Sequence, residues 1–241
     1  MKKTLALILA ACMSLSLVAC GGGDKSNTPP AGGSNAGTSQ SANQPSTGGS
    51  EAKTVGIAMP TQSLERWNRD GAYLDEQFKA AGYKTIVTYS DNKNEQQVND
   101  IQNMLSQGVD LLIIAAIDGN GLNTVMNDAG AAGVPVIAYD RLIMNDNSSY
   151  YVSFDNYTVG KLQGEFVRDA LDLDNAAGPF NMEFTAGDPA DNNAPFFYNG
   201  AFDVLKPYID SGKVIVPSGQ TAFDAVATDQ WQTDVALDRA Q

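Results

Sequence analysis

The chain has 241 residues with a formal net charge of −13, no histidine and two cysteines. The missing histidine excludes His-dependent triads, His zinc sites and the commonest general base. The acidity argues against nucleic acid or an anionic membrane face as partner, and no motif calls for a cofactor. Carboxylates, arginine, amides and aromatics are what remain for chemistry.

In chain order, Met1-Lys2-Lys3 is followed by an apolar run from Leu5 to Val18 and by Leu17-Val18-Ala19-Cys20-Gly21. Residues 1–20 are thus predicted to be a secretory signal whose cleavage site resembles a bacterial lipobox. That implies lipidation of Cys20 and an extracytoplasmic, lipid-anchored chain. The run is well under the roughly 20 apolar residues that a membrane span needs. Residues 21–53, rich in Gly, Ser, Asn, Thr and Pro, cannot bury enough surface to offset their ordering entropy and are predicted to be a tether. Cys12 falls in the signal and Cys20 at the lipobox, so the folded part is predicted to carry no disulfide and no thiol chemistry.

From Thr54 strands and helices alternate. Strands are predicted at 55–59, 84–89, 110–115, 134–139 and 150–154, and helices at 65–81, 95–107, 121–132 and 157–171. Gly82, Gly108 and Gly133 recur at helix–strand junctions, where a left-handed residue is wanted and glycine alone is free of penalty. Repeated βα units of this length imply a parallel sheet with helices on both faces, a doubly wound, Rossmann-like α/β domain over residues 54–172. The pattern then restarts, with strands at 180–184 and 214–216, helices at 193–209 and 228–240, and Gly212 as a helix stop. Two βα units leave a sheet edge and one face uncovered. Residues 173–241 are therefore expected to be only part of a second, similar domain.

Val134-Pro135-Val136-Ile137-Ala138-Tyr139 is an apolar run that ends abruptly in Asp140-Arg141. In open α/β sheets ligands bind outside the carboxyl ends of the strands, so a covered strand here delivers two charged groups to that crevice. Arg66 and Trp67 follow the first strand, Asp118 the third, and Asn156 the fifth. In the second domain Glu183 lies on the first strand, Asp191 and Asn193 in the next loop, and Trp231 at the start of the last helix. Donors, carboxylates and flat aromatics together suit a polyhydroxylated small molecule. Each hydroxyl both donates and accepts, and the C–H faces of a sugar ring pack on indole. A lone Asp after a strand is more often a helix cap or turn residue than a ligand contact, and Trp67 reads equally as core, so it is their joint placement at one sheet edge that carries the inference.

Several stretches resemble, in the same order, the periplasmic sugar-binding receptors of the ribose-binding-like class. They are Gly56-Ile57-Ala58-Met59-Pro60-Thr61, Glu65-Arg66-Trp67, Ala138-Tyr139-Asp140-Arg141-Leu142, Ser153-Phe154-Asp155-Asn156, Asp191-Asn192-Asn193-Ala194 and Val204 to Lys213. The xylose-binding and multiple-sugar-binding branches of the class are nearest. The resemblance implies a type I periplasmic-binding-protein fold, in which two lobes close on one monosaccharide across a hinge. It also implies a monomer that presents an aldose to an ABC importer or a chemoreceptor. Sugar contacts implied by likeness are Arg66, Trp67, Asp140, Arg141, Asn193 and Trp231, with Asp118, Asn156, Glu183 and Asp191 beside them. The family's later contacts would lie beyond Gln241.

Two other function classes fit less well. A glycoside hydrolase using two of Asp118, Asp140 and Glu183 has only the presence of acids behind it, and an arginine beside Asp140 disfavours it as a proton donor. A sugar-responsive transcription regulator shares the two-domain core, but the lipobox and the lack of an N-terminal DNA-binding module speak against it.

Overall fold

Strands buried on both faces need near-continuous apolar runs, and those runs form the first sheet in a computed structural model of the chain that describes residues 51–241. The expected signal, Cys20 and nearly all of the tether lie outside the described residues. The sheet contains β1 (Thr54–Met59), β2 (Lys84–Tyr89), β3 (Leu111–Ile114), β4 (Val136–Tyr139) and β5 (Tyr150–Val152). Their order is β2-β1-β3-β4-β5, with every pairing parallel. The winding reverses between β1 and β3, which opens a crevice at their carboxyl ends.

Helices α2 (Asn94–Ser106) and α3 (Asn123–Ala131) cover one face, where Ile101, Met104, Val125 and Met126 meet Leu112, Ile114 and Val136. Helix α1 (Glu65–Ala80) covers the other, with Trp67, Leu74 and Phe78 against Val55, Ile57 and Ile113. The predicted glycine junctions take φ of 88°, 74° and 67° at Gly82, Gly108 and Gly133, in the left-handed region where a side chain is strained. The fully buried Gln97 closes the end of β3. Its Nε2 donates to the Ala115 carbonyl and its Oε1 accepts from the Ile117 amide, both at 2.9 Å, where ladder partners run out.

The second lobe holds α4 (Asn156–Ala170), β6 (Phe180–Asn181), α5 (Ala194–Asp210), β7 (Val214–Ile215), α6 (Phe223–Val226), a 3-10 turn (Asp229–Trp231) and α7 (Thr233–Ala240). β6 and β7 form a parallel two-stranded sheet. β6 is shorter than the predicted 180–184 because its partner β7 ends at Ile215, and Pro217, two residues on, has no N–H to extend the ladder. The helix predicted over 228–240 starts only at Thr233, since Gln230 and Trp231 have φ of 52° and 57° and a left-handed pair cannot continue a right-handed helix. Helix α6 escaped the sequence reading because four residues are too few to show a period.

Helix α4 packs chiefly on α5. Val167 of α4 and Leu171 just past its end pack with Leu173, Leu205 and Val214 of the second lobe. Glycines make this contact close: a Cβ on Gly164 would stand 2.7 Å from the Ala201 carbonyl oxygen, and one on Gly160 would meet the Phe197 carbonyl.

Helix α4 opens on Asp155, whose carboxylate accepts from the Thr158 amide at 3.0 Å and the Thr158 hydroxyl at 2.7 Å. These bonds hold the Asp155 carboxyl below its ordinary range. The stabilisation is therefore present above the ordinary carboxylate range and is lost as pH falls through the lowered value. Asp155→Ala should lower the midpoint of thermal unfolding at pH 7, and the difference from the parent should shrink as the pH of the scan is taken down through 4 towards 2.

Candidate functional site

At the mouth of the crevice the backbone of Asp140 is in the left-handed region, with φ 64°. A non-glycine residue held there costs of order 1–3 kcal/mol and persists only where its surroundings over-determine it. Here the Asp140 amide donates to the Val152 carbonyl at 2.7 Å, and the Asp140 carbonyl accepts from Asn193 Nδ2 at 2.7 Å. The conformation turns the carboxylate to Arg66 on the first turn of α1, and Oδ1 accepts from Nη2 at 2.8 Å. Arg66 also meets Asp70 one helical turn on, Nε to Oδ2 at 3.4 Å. Burial works against the Arg66 charge, but the bond and charge of Asp140, with Asp70 behind, outweigh it and raise the guanidinium above its ordinary value.

Arg141 is buried. Its Nη1 donates to the Ala116 carbonyl at 3.0 Å, just past β3, and its Nε stands 3.4 Å from Asp191 Oδ2 of the second lobe. Desolvation pushes Arg141 below its ordinary value, against the opposing pull of Asp191, Asp188 and Asp140. Desolvation likewise raises the Asp188 carboxyl, against the Ala190 amide bond and the Arg141 charge.

Trp67 packs in the core cluster beneath α1, 2% exposed, with one edge at the cavity, and the guanidinium carbons of Arg66 and Arg141 lie 4.6 and 5.2 Å from its ring centroid. The indole stacks the two cations that edge the crevice, an arrangement favoured by the ring quadrupole. Trp231, like Phe184 and Phe197, is a partly exposed aromatic of the second lobe at the cavity, and it is the one with a polar N–H. Its Nε1 donates to Asp191 Oδ2 at 3.1 Å, its ring lies over the backbone of Gly187, where any Cβ would strike it, and Phe197 meets it edge-on at 6.4 Å.

Arg66, Trp67, Asp140, Arg141, Asp191 and Trp231 line one cavity of about 700 Å³ between the lobes. That volume lies within the range of small-molecule sites. Asn193 sits beside it, 3% exposed, with both ends of its amide bonded to protein. Three expected site residues lie elsewhere. Asp118 Oδ1 accepts from the Asn120 amide in the turn before α3. Asn156 is buried at the start of α4 beside Ser153, and the exposed Glu183 accepts from the amide and hydroxyl of Ser218. Asp118 and Asn156 make the local turn or cap contacts that an acid or amide makes after a strand, and Glu183 ties its strand to the loop after β7.

Gln163, Gly187, Phe197 and Thr228 also line the cavity and were not anticipated. Gln163 and Phe197 are ordinary positions on helix faces. Thr228 and Gly187 are brought in by a loop-to-loop bond, the Thr228 amide donating to the Gly187 carbonyl at 3.1 Å. The single available signal was the glycine next to Asp188. Among the described residues no cluster of His, Cys, Asp and Glu could hold a metal ion.

The family model "Periplasmic binding protein domain" matches residues 55–241. The Multiple sugar-binding periplasmic protein SbpA of Azospirillum brasilense is 51% identical over 187 residues, covering 77% of this chain and 52% of its own length. The Multiple sugar-binding periplasmic receptor ChvE of Rhizobium radiobacter is 50% identical, covering 77% and 53%. Among solved structures, an ABC transporter solute-binding protein from Clostridium phytofermentans with bound β-D-glucose has a TM-score of 0.76 at 53% identity, covering 78% of this chain and 58% of that one. The chain thus spans about half the length of the curated relatives it matches. The parallel α/β sheet, the crevice at its carboxyl edge and a family match over most of the chain converge: the chain belongs to the periplasmic binding protein family.

Proposed function

We propose that this protein is an extracytoplasmic receptor that captures a monosaccharide, an aldose such as xylose, glucose, galactose or arabinose, for an ABC importer or a chemoreceptor. Lipidation of Cys20 would hold it to the membrane as a monomer. The observation that carries the reading is the arrangement of paired charges at the cavity wall: Arg66 with Asp140 from the first lobe, and Arg141 with Asp191 across the gap, beside the Trp231 indole. Asp140, Asp191, Arg66 and Arg141 supply acceptors and donors for ring hydroxyls, and Trp231 supplies a flat apolar face. The names of the relatives, which describe sugar-binding proteins, support the same class. Binding proceeds without turnover: Asp140 is engaged by the Arg66 guanidinium and Asp191 by the Arg141 guanidinium and the Trp231 indole N–H, which holds both as charged acceptors and disfavours them as proton donors.

Calorimetric titration with D-xylose, D-glucose, D-galactose and L-arabinose tests it. At least one aldose should bind in the micromolar range or tighter. An epimer with one misplaced hydroxyl should bind about 5- to 150-fold more weakly, the equivalent of roughly 1–3 kcal/mol for a stranded polar group. No heat with any of the four sugars would sink the proposal.

A further inference from the structure

Arg141 owes its aim to a single peptide group. Its Nη1 donates to the Ala116 carbonyl at 3.0 Å, the guanidinium's only hydrogen bond among the described residues. Its Nε has no hydrogen-bond partner, although Asp191 faces it at 3.4 Å. The charge of Asp191 attracts the guanidinium without fixing its direction, whereas a hydrogen bond weakens steeply off line. Ala116 stands past the end of β3, where the strand's own ladder has run out.

What fixes Ala116 is Gln97. The Ala116 carbonyl and the Ile117 N–H belong to one planar peptide group, and Gln97 Oε1 accepts from that N–H at 2.9 Å. Gln97 Nε2 donates to the Ala115 carbonyl, also at 2.9 Å, and so holds the preceding peptide group as well. The glutamine lies on the first turn of α2, where side chains lean back towards the helix N-terminus and here towards the carboxyl edge of the sheet. It is fully buried and off the cavity lining. One peptide group is thus gripped at its N–H by Gln97 and at its C=O by Arg141, and the bond at one end polarises the other.

Resting on the sugar-receptor reading, we propose that Gln97 is a positioning residue of the site. Through the Ala116–Ile117 peptide group it aims the Arg141 guanidinium at the cavity, and it touches no ligand itself.

Gln97→Met keeps the length of the side chain and removes both bonds. Gln97→Asn, too short to span both partners, serves as a second variant should the first not fold. Ile101→Val, one turn further along α2 and equally buried, is the control for lost stability alone. The first readout is taken without sugar: the Arg141 Nε–H resonance, identified by its loss in Arg141→Lys, and its exchange with solvent. The second is calorimetric affinity for the tightest-binding aldose in a double-mutant cycle. A lysine at 141 is a point charge with freely rotating donors and does not depend on the aim of the carbonyl.

Both Gln97 variants should shift the Arg141 resonance, speed its exchange and weaken sugar binding by about 2- to 12-fold, the weight of one lost hydrogen bond. Ile101→Val should move neither readout. Gln97→Met added to Arg141→Lys should weaken binding little further, whereas added to Arg66→Lys it should bring its full loss, because only the first pair shares a partner. An Arg141 resonance unchanged in both Gln97 variants, or losses that simply add with Arg141→Lys, would overturn the proposal. A parent that binds no aldose would sink the receptor reading instead, and the sugar-free exchange would still decide whether Gln97 holds Arg141.

Discussion

Arg141→Ala is expected to destabilise the protein by about 3–5 kcal/mol and to abolish sugar binding. Its guanidinium is 5% exposed, bonded to the Ala116 carbonyl and faced by Asp191, itself 4% exposed. Removing one partner of a buried pair leaves the other charge uncompensated, and that penalty is what sets the size of the loss. For a domain of this size the midpoint of thermal unfolding should fall by about 6–20 °C. Replacing both partners by apolar groups should behave differently, because well-packed hydrophobes of similar volume often substitute for a buried pair at little cost. Arg141→Met with Asp191→Leu should thus recover most of the stability and none of the binding. Calorimetric melting and sugar titration of the two variants check this. A double variant as unstable as Arg141→Ala would mean that the pair is needed for the fold itself and not kept for the ligand.

That separation bears on how much could be read in advance. The first lobe was legible because its strands are uninterrupted apolar runs and its junctions are glycines with positive φ, signals that act within a few residues. The crevice was legible for the same reason: a strand that ends in Asp140-Arg141 must place both at the sheet's carboxyl edge. What could not be read was which polar groups face the cavity. Asp118, Glu183 and Asp140 all follow or lie on strands, yet Asp118 and Glu183 bond to amides two and 35 residues away, while Asp140 is turned inward by a left-handed backbone that no pattern announces. Trp67 reads equally as core and as platform in the sequence, where nothing announces that two guanidinium groups lie against its ring. The partners of α4 were hidden for a related reason. The repeat of βα units assigns α4 to the strand before it, whereas its partners are decided by the glycine face that it turns to α5.

That glycine face supplies the other large effect. An alanine in place of a glycine on an exposed helix face is worth about 1 kcal/mol of added stability from propensity alone. Gly200→Ala on α5 should reverse that sign. A Cβ there would strike the Tyr157 carbonyl oxygen and stand 2.7 Å from the Lys161 amide nitrogen, both backbone atoms of α4 that no rotamer change can move aside. Relief requires the two helices to separate, at an overpacking cost towards the upper end of about 1–3 kcal/mol. Asn199→Ala, one residue away on the exposed face, supplies the control and should be neutral or mildly stabilising. Urea unfolding of the two variants measures the difference, and a Gly200→Ala protein as stable as the parent would show that the crossing is looser than its backbone contacts imply. The effect should also reach the ligand. Asp191 and Asn193 lie in the loop that leads directly into α5, so a displaced helix carries them away from Arg141 and the Asp140 carbonyl. Sugar affinity should fall with stability in Gly200→Ala and hold in Asn199→Ala, because the packing that joins α4 to α5 is also what aims the second lobe's half of the site.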